Sequence, residues 1–308
     1  MALPTHCPLC KATHDALTVV TPHVYGDTTR THAFYHCGVC DVRFQFPGLT
    51  PDEEVRFYAA EFEGFMASRA GTAGGWHGAE SHIAANESTR GRRMRYLRPL
   101  LAPGARVLEV GCSSGFMLWP LAAEGFECTG IEPSGVFSEF VRHRGLSVYP
   151  SFEALTEAEP DRLFDVIQHF FVLEHIADPL AFLRAQAARL RPGGKVVVEI
   201  PNAADPLYRV YDIPAFERFY WSLAHPWYFS EASLRFLLKA LGLPFVIQRD
   251  QRYDLSNHMV WARDGKPGGM GRFVPQLGPE LDDAYKQALI QSGFCDTLVA
   301  VISVDGQG

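Results

Sequence analysis

The segment Val107-Leu-Glu-Val-Gly-Cys-Ser-Ser-Gly115 constrains the fold more than any other stretch of this chain. Val107, Leu108 and Val110 suit a short strand covered on both faces. The strand runs straight into a turn whose Gly111 and Gly115 allow backbone geometry and close ligand approach that a Cβ would forbid. A helix that follows such a turn points its free N–H groups at the ligand. Glu132 lies twenty-one residues after Gly111, at the end of a second strand-like run from Cys128 to Ile131. A carboxylate placed there can accept hydrogen bonds from two ribose hydroxyls.

The spacing Glu-x-Gly-x-x-x-Gly is not the G-x-G-x-x-G of a dinucleotide site. It resembles the first motif of the class I S-adenosylmethionine (SAM) methyltransferases. Further along, Leu163-Phe-Asp-Val-Ile-Gln-His-Phe-Phe-Val-Leu-Glu-His-Ile-Ala-Asp-Pro179 reads as a strand, a loop and the start of a helix. Phe164, Asp165 and Ile167, then Leu173-Glu174-His175 and Asp178-Pro179, match marks of the same family. Pro192 and the glycines of Leu190-Arg-Pro-Gly-Gly-Lys195 predict a helix stop, and Val196 to Ile200 a fifth buried strand. The resemblance over 105–201 implies SAM as cofactor and S-adenosylhomocysteine as product. It sets the turn (Glu109, Gly111, Cys112, Ser113, Gly115) against the amino-acid end of SAM and Glu132, followed by Pro133, on its ribose. The competing reading is an ordinary glycine turn in an α/β domain.

Alternating strands and helices predict an α/β fold, a Rossmann-like class I methyltransferase sheet with helices on both faces. A small zinc ribbon is expected in front of it. Cys7-Pro-Leu-Cys10 and Cys37-Gly-Val-Cys40 are two C-x-x-C knuckles separated by 26 residues, the donor set of a structural four-cysteine zinc site. Strand-like stretches at Leu17 to Thr21 and Thr31 to His36 supply a hairpin between them. His6, His14 and His36 flank the site, but four thiolates already close the shell, so no chemistry is expected at the metal. A disulfide pairing is the alternative, disfavoured because the N-terminus lacks the apolar core of an export signal. Cys128 and Cys295 read as core residues, as does the side chain of Cys112.

The expected organisation is a zinc module at 1–48, a helical linker or lid at 49–89, and a methyltransferase domain at 90–308 with an aromatic acceptor-side insertion at 202–230. Thr50-Pro-Asp-Glu-Glu signals a helix start, and 71–75 a small-residue loop. Ser230-Glu-Ala-Ser caps a helix reaching Leu241, and Phe245 to Gln248 is another strand. Residues 257–262 and 297–303 both read as strands.

With 28 basic and 35 acidic residues the net charge is −7, which argues against nucleic acid as partner. No run is long enough to span a membrane, so a cytoplasmic location is expected. Arg90, Arg92, Arg93, Arg95 and Arg98 read either as the solvated face of a helix or as a contact for a phosphorylated substrate. Asp254-Leu-Ser-Asn-His258 is a plain turn or a rim of the acceptor pocket, and Gly265-Lys-Pro-Gly-Gly269 a short glycine loop.

Methyl transfer from a sulfonium needs alignment of nucleophile, methyl and sulfur, and a base if the nucleophile carries a proton. Ligands of open α/β sheets bind outside the carboxyl ends of the strands. His169 and His175 follow the fourth strand and His225 the fifth. His169 is counted with the cofactor residues; His225 and His175 are candidate bases. Structural alternatives are a loop hydrogen bond for His175 and packing for His225. The layout of residues 5–250 also resembles sugar C-methyltransferases carrying an N-terminal zinc module. That resemblance implies roles for His175, for a tyrosine after the zinc module (Tyr58, otherwise a core residue), and for a Glu-His pair before Tyr-Phe-Ser. Here the pair reads Ala224-His225, and the family's long C-terminal domain is expected to be shortened or absent, which opens the reading to O- or N-methylation. It implies a small-molecule acceptor such as a nucleotide-linked or phosphorylated sugar. Alternatives are a ribosomal-RNA methyltransferase with a zinc module, which the balance of Lys11, Arg30 and Arg43 against Asp15, Asp27 and Asp41 disfavours, and a non-catalytic SAM-binding or partner-docking protein. The oligomeric state is not legible.

Overall fold

The computed structural model describes residues 3–50, 53 and 79–305. Tyr58, the 71–75 loop and most of the expected 49–89 linker lie outside the described residues. Of the linker, the Thr50 cap is seen: Thr50 N and Oγ donate to a Glu53 carboxylate oxygen, each at 2.8 Å. The helix Ala79–Ala85 is also described.

The N-terminal sheet contains β1 (Leu17–Thr21), β2 (Ala33–Cys37) and β3 (Arg43–Phe46), antiparallel in sequence order. The larger sheet contains β4 (Arg106–Val110), β5 (Glu127–Ile131), β6 (Ser147–Tyr149), β7 (Phe164–Phe170) and β8 (Leu190–Pro201). A two-residue strand, β9 (Trp227–Tyr228), belongs to the N-terminal sheet: Arg43 pairs with Tyr228 and Phe44 with Trp227. The large sheet is completed by β10 (Phe245–Asp250) and β11 (Thr297–Ser303). Its order is β10-β11-β8-β7-β4-β5-β6, with β11 antiparallel to both neighbours and the others parallel. The order reverses between β4 and β7, which leaves a crevice at the carboxyl ends of these two strands, beside the end of β5.

Strand alternation builds the two layers. Leu108, Val110, Ile167, Val196, Val198 and Ile200 point to one face, against Leu183 and Leu237 of the helices Pro179–Ala187 and Glu231–Leu241. Val166, Phe170, Val197 and Val299 point to the other, against Leu97 and Met117. Each of these is at most 8% exposed, so the sheet is buried on both sides, as an all-apolar strand pattern requires.

Two expectations change. Residues 257–262 are not a strand but part of the helix Leu255–Asp264. Asp254 accepts from Asn257 N at its start, Gly265 closes it at φ +63°, and Val260 and Trp261 bury one side. Asp254 is therefore a helix cap and Gly265 a helix stop. The strand after the fourth crossover begins at Leu190, ahead of Val196, because Leu190 pairs with Phe164 across a bulge. The aromatic segment 202–230 supplies a core of its own: Phe216, Tyr220, Trp221 and Tyr228 pack with Phe34 and Trp261 in one buried cluster.

The arginine run divides: Arg95 and Arg98 stay on the solvated face, while Arg92 and Arg93 turn inward. Arg92 bridges Glu199 and Asp250, Arg93 Nε donates to Glu199 at 2.6 Å, and Arg98 pairs with Glu124. Arg92 and Arg93 sit at the sheet-facing side of the helix Glu87–Leu97, with Arg93 4.2 Å above the Phe170 ring. A buried arginine needs such partners to offset its desolvation.

Candidate active site

The glycine turn after β4 is held by its neighbour strand. Gly111 N and Cys112 N both donate to the Ile131 carbonyl, at 2.8 and 3.0 Å. Gly111 and Gly115 adopt φ of +73° and +74°, and a Cβ there would meet Val172 Cγ2 and Trp119 Nε1, each at 2.8 Å. Ser113 also takes a positive φ, 49°. The Cys112 thiol is fully buried and lies 2.5 Å from where a Cβ on Gly130 would stand. Cys112 thus offers a ligand only its backbone, while its side chain requires the glycine on β5.

Glu132 sits at the crevice end of β5, where its carboxylate braces two backbone amides. Oε2 accepts from Ser113 N at 2.7 Å and Oε1 from Ser134 N at 2.9 Å. A carboxylate has about four acceptor positions, so bracing the turn is compatible with accepting from a ligand's hydroxyls. Pro133 is exposed beside it. Glu109 is buried, and burial pushes its carboxyl up to about 8.

His82 was not found by sequence reasoning. Its Nδ1 lies 2.8 Å from Ser114 Oγ, and its ring packs on Phe116 and Phe137. Burial lowers its imidazole to about 4, so it is neutral at pH 7. No pattern in the sequence marks it, because the contact joins the helix Ala79–Ala85 to a loop past β4.

The candidate histidines separate. His169 is fully buried on β7, pairs in register with Val110, and sets its ring 5.3 Å from Phe182. Strand alternation turns it toward the helix Pro179–Ala187 and into the core; as a cofactor contact it is corrected. His175 and His225 converge, their ring centroids 4.7 Å apart and perpendicular. His175 Nδ1 lies 2.6 Å from the Ala224 carbonyl. A carbonyl only accepts, so Nδ1 carries a proton. The His175 loop hydrogen bond expected as a structural alternative is real, and it fixes both the ring and its tautomer.

Both loops are pinned. Trp227 Nε1 donates to the Ile176 carbonyl at 2.9 Å. Leu223 N donates to Tyr25 O and Gln45 N to Pro226 O, each at 2.9 Å. The N-terminal sheet therefore holds the loop bearing His225. A cavity of about 270 Å³ opens between them, lined by Phe44, Phe46, His175, Leu223, Pro226 and Trp227 among others.

The four cysteines of the knuckles come together, their sulfurs within 4.8 Å of one another. Cys7 and Cys40 Sγ are 3.7 Å apart, Cys10 and Cys37 Sγ 3.5 Å. Four sulfurs about 2.3 Å from one tetrahedral zinc lie about 3.8 Å from each other, so the donor set fits that ion. No disulfide joins any of the seven cysteines.

Residues 84–247, more than half of the chain, match the family described as Methyltransferase domain. A ubiquinone biosynthesis O-methyltransferase from Rhizobium etli is 36% identical over 117 residues, covering 36% of this chain and 46% of that protein. One of the same description from Xanthomonas axonopodis is 30% identical over 160 residues, covering 50% of this chain and 65% of that protein. The chain thus spans about half to two thirds of the length of these curated relatives. A SAM-dependent methyltransferase from Archaeoglobus fulgidus aligns in structure with TM-score 0.47 and 19% identity, over 71% of this chain and 94% of that one. With the seven-stranded order, the glycine turn and the terminal acid of β5 in place, the chain belongs to the family described as Methyltransferase domain.

Proposed function

We propose that this protein transfers the methyl group of SAM to a small-molecule acceptor, with a histidine of the His175–His225 pair receiving the acceptor's proton. The observation that carries the reading is the convergence of these two rings on pinned loops, with His175 lining the adjoining cavity. SAM, when bound, supplies an electrophilic methyl group and leaves as S-adenosylhomocysteine. The Gly111–Gly115 turn with Ser113 and Glu109 would hold its amino-acid end, and the Glu132 carboxylate its ribose. His175, whose ring is oriented by its Nδ1–H bond to the Ala224 carbonyl, would take the proton through Nε2; His225 is the second candidate and Tyr58 a third.

The acceptor named by the sequence resemblance is a nucleotide-linked or phosphorylated sugar. Arg92, Arg93 and Arg98 are committed to carboxylates, so a phosphate would have to be met elsewhere. The relatives' printed name favours oxygen as the methylated atom, which suits a single histidine base, since a hydroxyl gives up its proton more readily than a carbon acid.

The four-thiolate ion is structural in this reading: a closed tetrahedral shell leaves no position for an acceptor. The N-terminal sheet does not favour RNA, because Arg43, one of its few fixed positive charges, is paired with Asp41 at 3.0 Å.

The test uses SAM with a labelled methyl group and a cell extract from the source organism. Label in the small-molecule fraction supports the proposal and lets mass spectrometry identify the acceptor. Label in RNA refutes it.

A further inference from the structure

Glu174 precedes His175 in the turn Leu173–His175 and is 1% exposed. Among the described residues neither carboxylate oxygen meets a donor from any other residue; only its own backbone N–H acts on it at hydrogen-bonding range. A buried carboxylate with so few donors is costly and calls for a proton or a cation. The cations that act on it, Arg252 and Arg93, do so through space. Arg93 gives its Nε–H to Glu199, and the Arg252 guanidinium bonds the Tyr253 hydroxyl and stacks on the Phe171 ring at 4.6 Å.

The third group of the cluster arrives from another loop. One Glu174 oxygen, one His175 ring nitrogen and one His225 ring nitrogen all lie within 4.8 Å of one another. His175 gives its Nδ1–H to a backbone carbonyl, that of Ala224, which leaves Nε2 as the nitrogen to bind an ion, the outer contact usual for metal-bound histidines. Pro226 and the β9 pairing fix the approach of His225. A carboxylate and two imidazoles make a three-ligand set for a first-row divalent ion and leave a coordination position open, unlike the four thiolates of the knuckles.

From this juxtaposition we infer that Glu174, His175 and His225 form a second metal site, which takes a divalent transition-metal ion and presents its open position to the acceptor. The inference rests on the proposed acceptor site and changes how the proton leaves. An acceptor hydroxyl bound to the ion is acidified and releases its proton to solvent, its oxygen remaining as the nucleophile for the methyl group. The two imidazoles are then ligands rather than bases. No redox step is involved.

The test is a Co2+ titration of the full chain carrying zinc in its thiolate site, followed by calorimetry and visible absorption. The expected result is one further equivalent of Co2+ with the weak bands of a nitrogen and oxygen site. That equivalent should be lost in His225→Ala and bound more than about tenfold more weakly in Glu174→Gln. Unchanged SAM affinity of both variants shows that they are folded. Saturation without a further equivalent, or equal binding by both variants, overturns the inference. So does full acceptor turnover after the second ion is stripped and the thiolate ion retained. If that stripped enzyme still needs His225, the histidine-base reading stands alone; if His225→Ala has wild-type turnover with and without added metal, both fall.

Discussion

Replacing Glu132 by alanine separates two tasks that one carboxylate performs. Toward the protein, its oxygens accept from Ser113 N and Ser134 N at 2.7 and 2.9 Å. Toward the ligand, the same oxygens would accept from the ribose hydroxyls. A hydrogen bond to a charged group contributes about 1.5–3 kcal/mol. Loss of even one ribose contact therefore predicts a Kd for SAM weakened roughly ten- to 150-fold, and loss of both predicts more. The internal cost is smaller, because Ser113 and Ser134 are only partly buried and water can reach their amides; about 1–3 kcal/mol of unfolding free energy is expected. Titration calorimetry with SAM measures the first quantity and thermal unfolding without ligand the second. A lowered melting temperature with an unchanged Kd would refute the ribose assignment and leave Glu132 as a brace of the glycine turn.

Gly111→Ala combines a positive φ with a 2.8 Å approach to Val172 Cγ2; a loss of about 1–3 kcal/mol is expected in denaturant unfolding. Glu109 is pushed up from 4.5 to about 8 by burial. Folded and unfolded chains both carry the proton below pH 4.5, but between there and pH 8 only the folded one keeps it, so stability falls as pH rises. Glu109→Gln should remove that slope, its melting temperature gaining on wild type from pH 5 to pH 8 when SAM is absent. Chelation of the thiolate ion should reduce acceptor turnover and leave SAM affinity intact, because the N-terminal sheet holds the His225 loop while the glycine turn is built on β4 and β5. Equal loss of SAM affinity, by calorimetry on the chelated protein, would contradict this division.

The parts of the molecule built from local patterns were legible in the sequence. Strands β4, β5, β7 and β8 announce themselves by apolar runs ended by turn residues, and Ser230 opens its helix by cap chemistry. The knuckles needed only spacing. The misreadings share a cause in tertiary contact. His258-Met-Val-Trp-Ala262 has the composition of a strand, and only its caps and the burial of Trp261 against Phe216 show a helix. His169 was placed at the right end of β7, but which face it took depended on register. The partners of Arg92 lie 107 and 158 residues away, beyond any local rule. Glu174 reads in the sequence as one letter of a motif; the absence of a donor from any other described residue is visible only in three dimensions.

The pairing of β3 with β9 has a consequence for biogenesis. Phe44 waits for Trp227, a contact separated by most of the chain, and contacts of long sequence separation form late. During synthesis the N-terminal hairpin leaves the ribosome first, and its β3 edge stays open until residue 228 has been made. An open edge is a template for pairing with another chain. An ion captured early by Cys7, Cys10, Cys37 and Cys40 would keep that hairpin folded through the interval, so metal starvation should show first as aggregation of newly made chains, with protein already folded less affected.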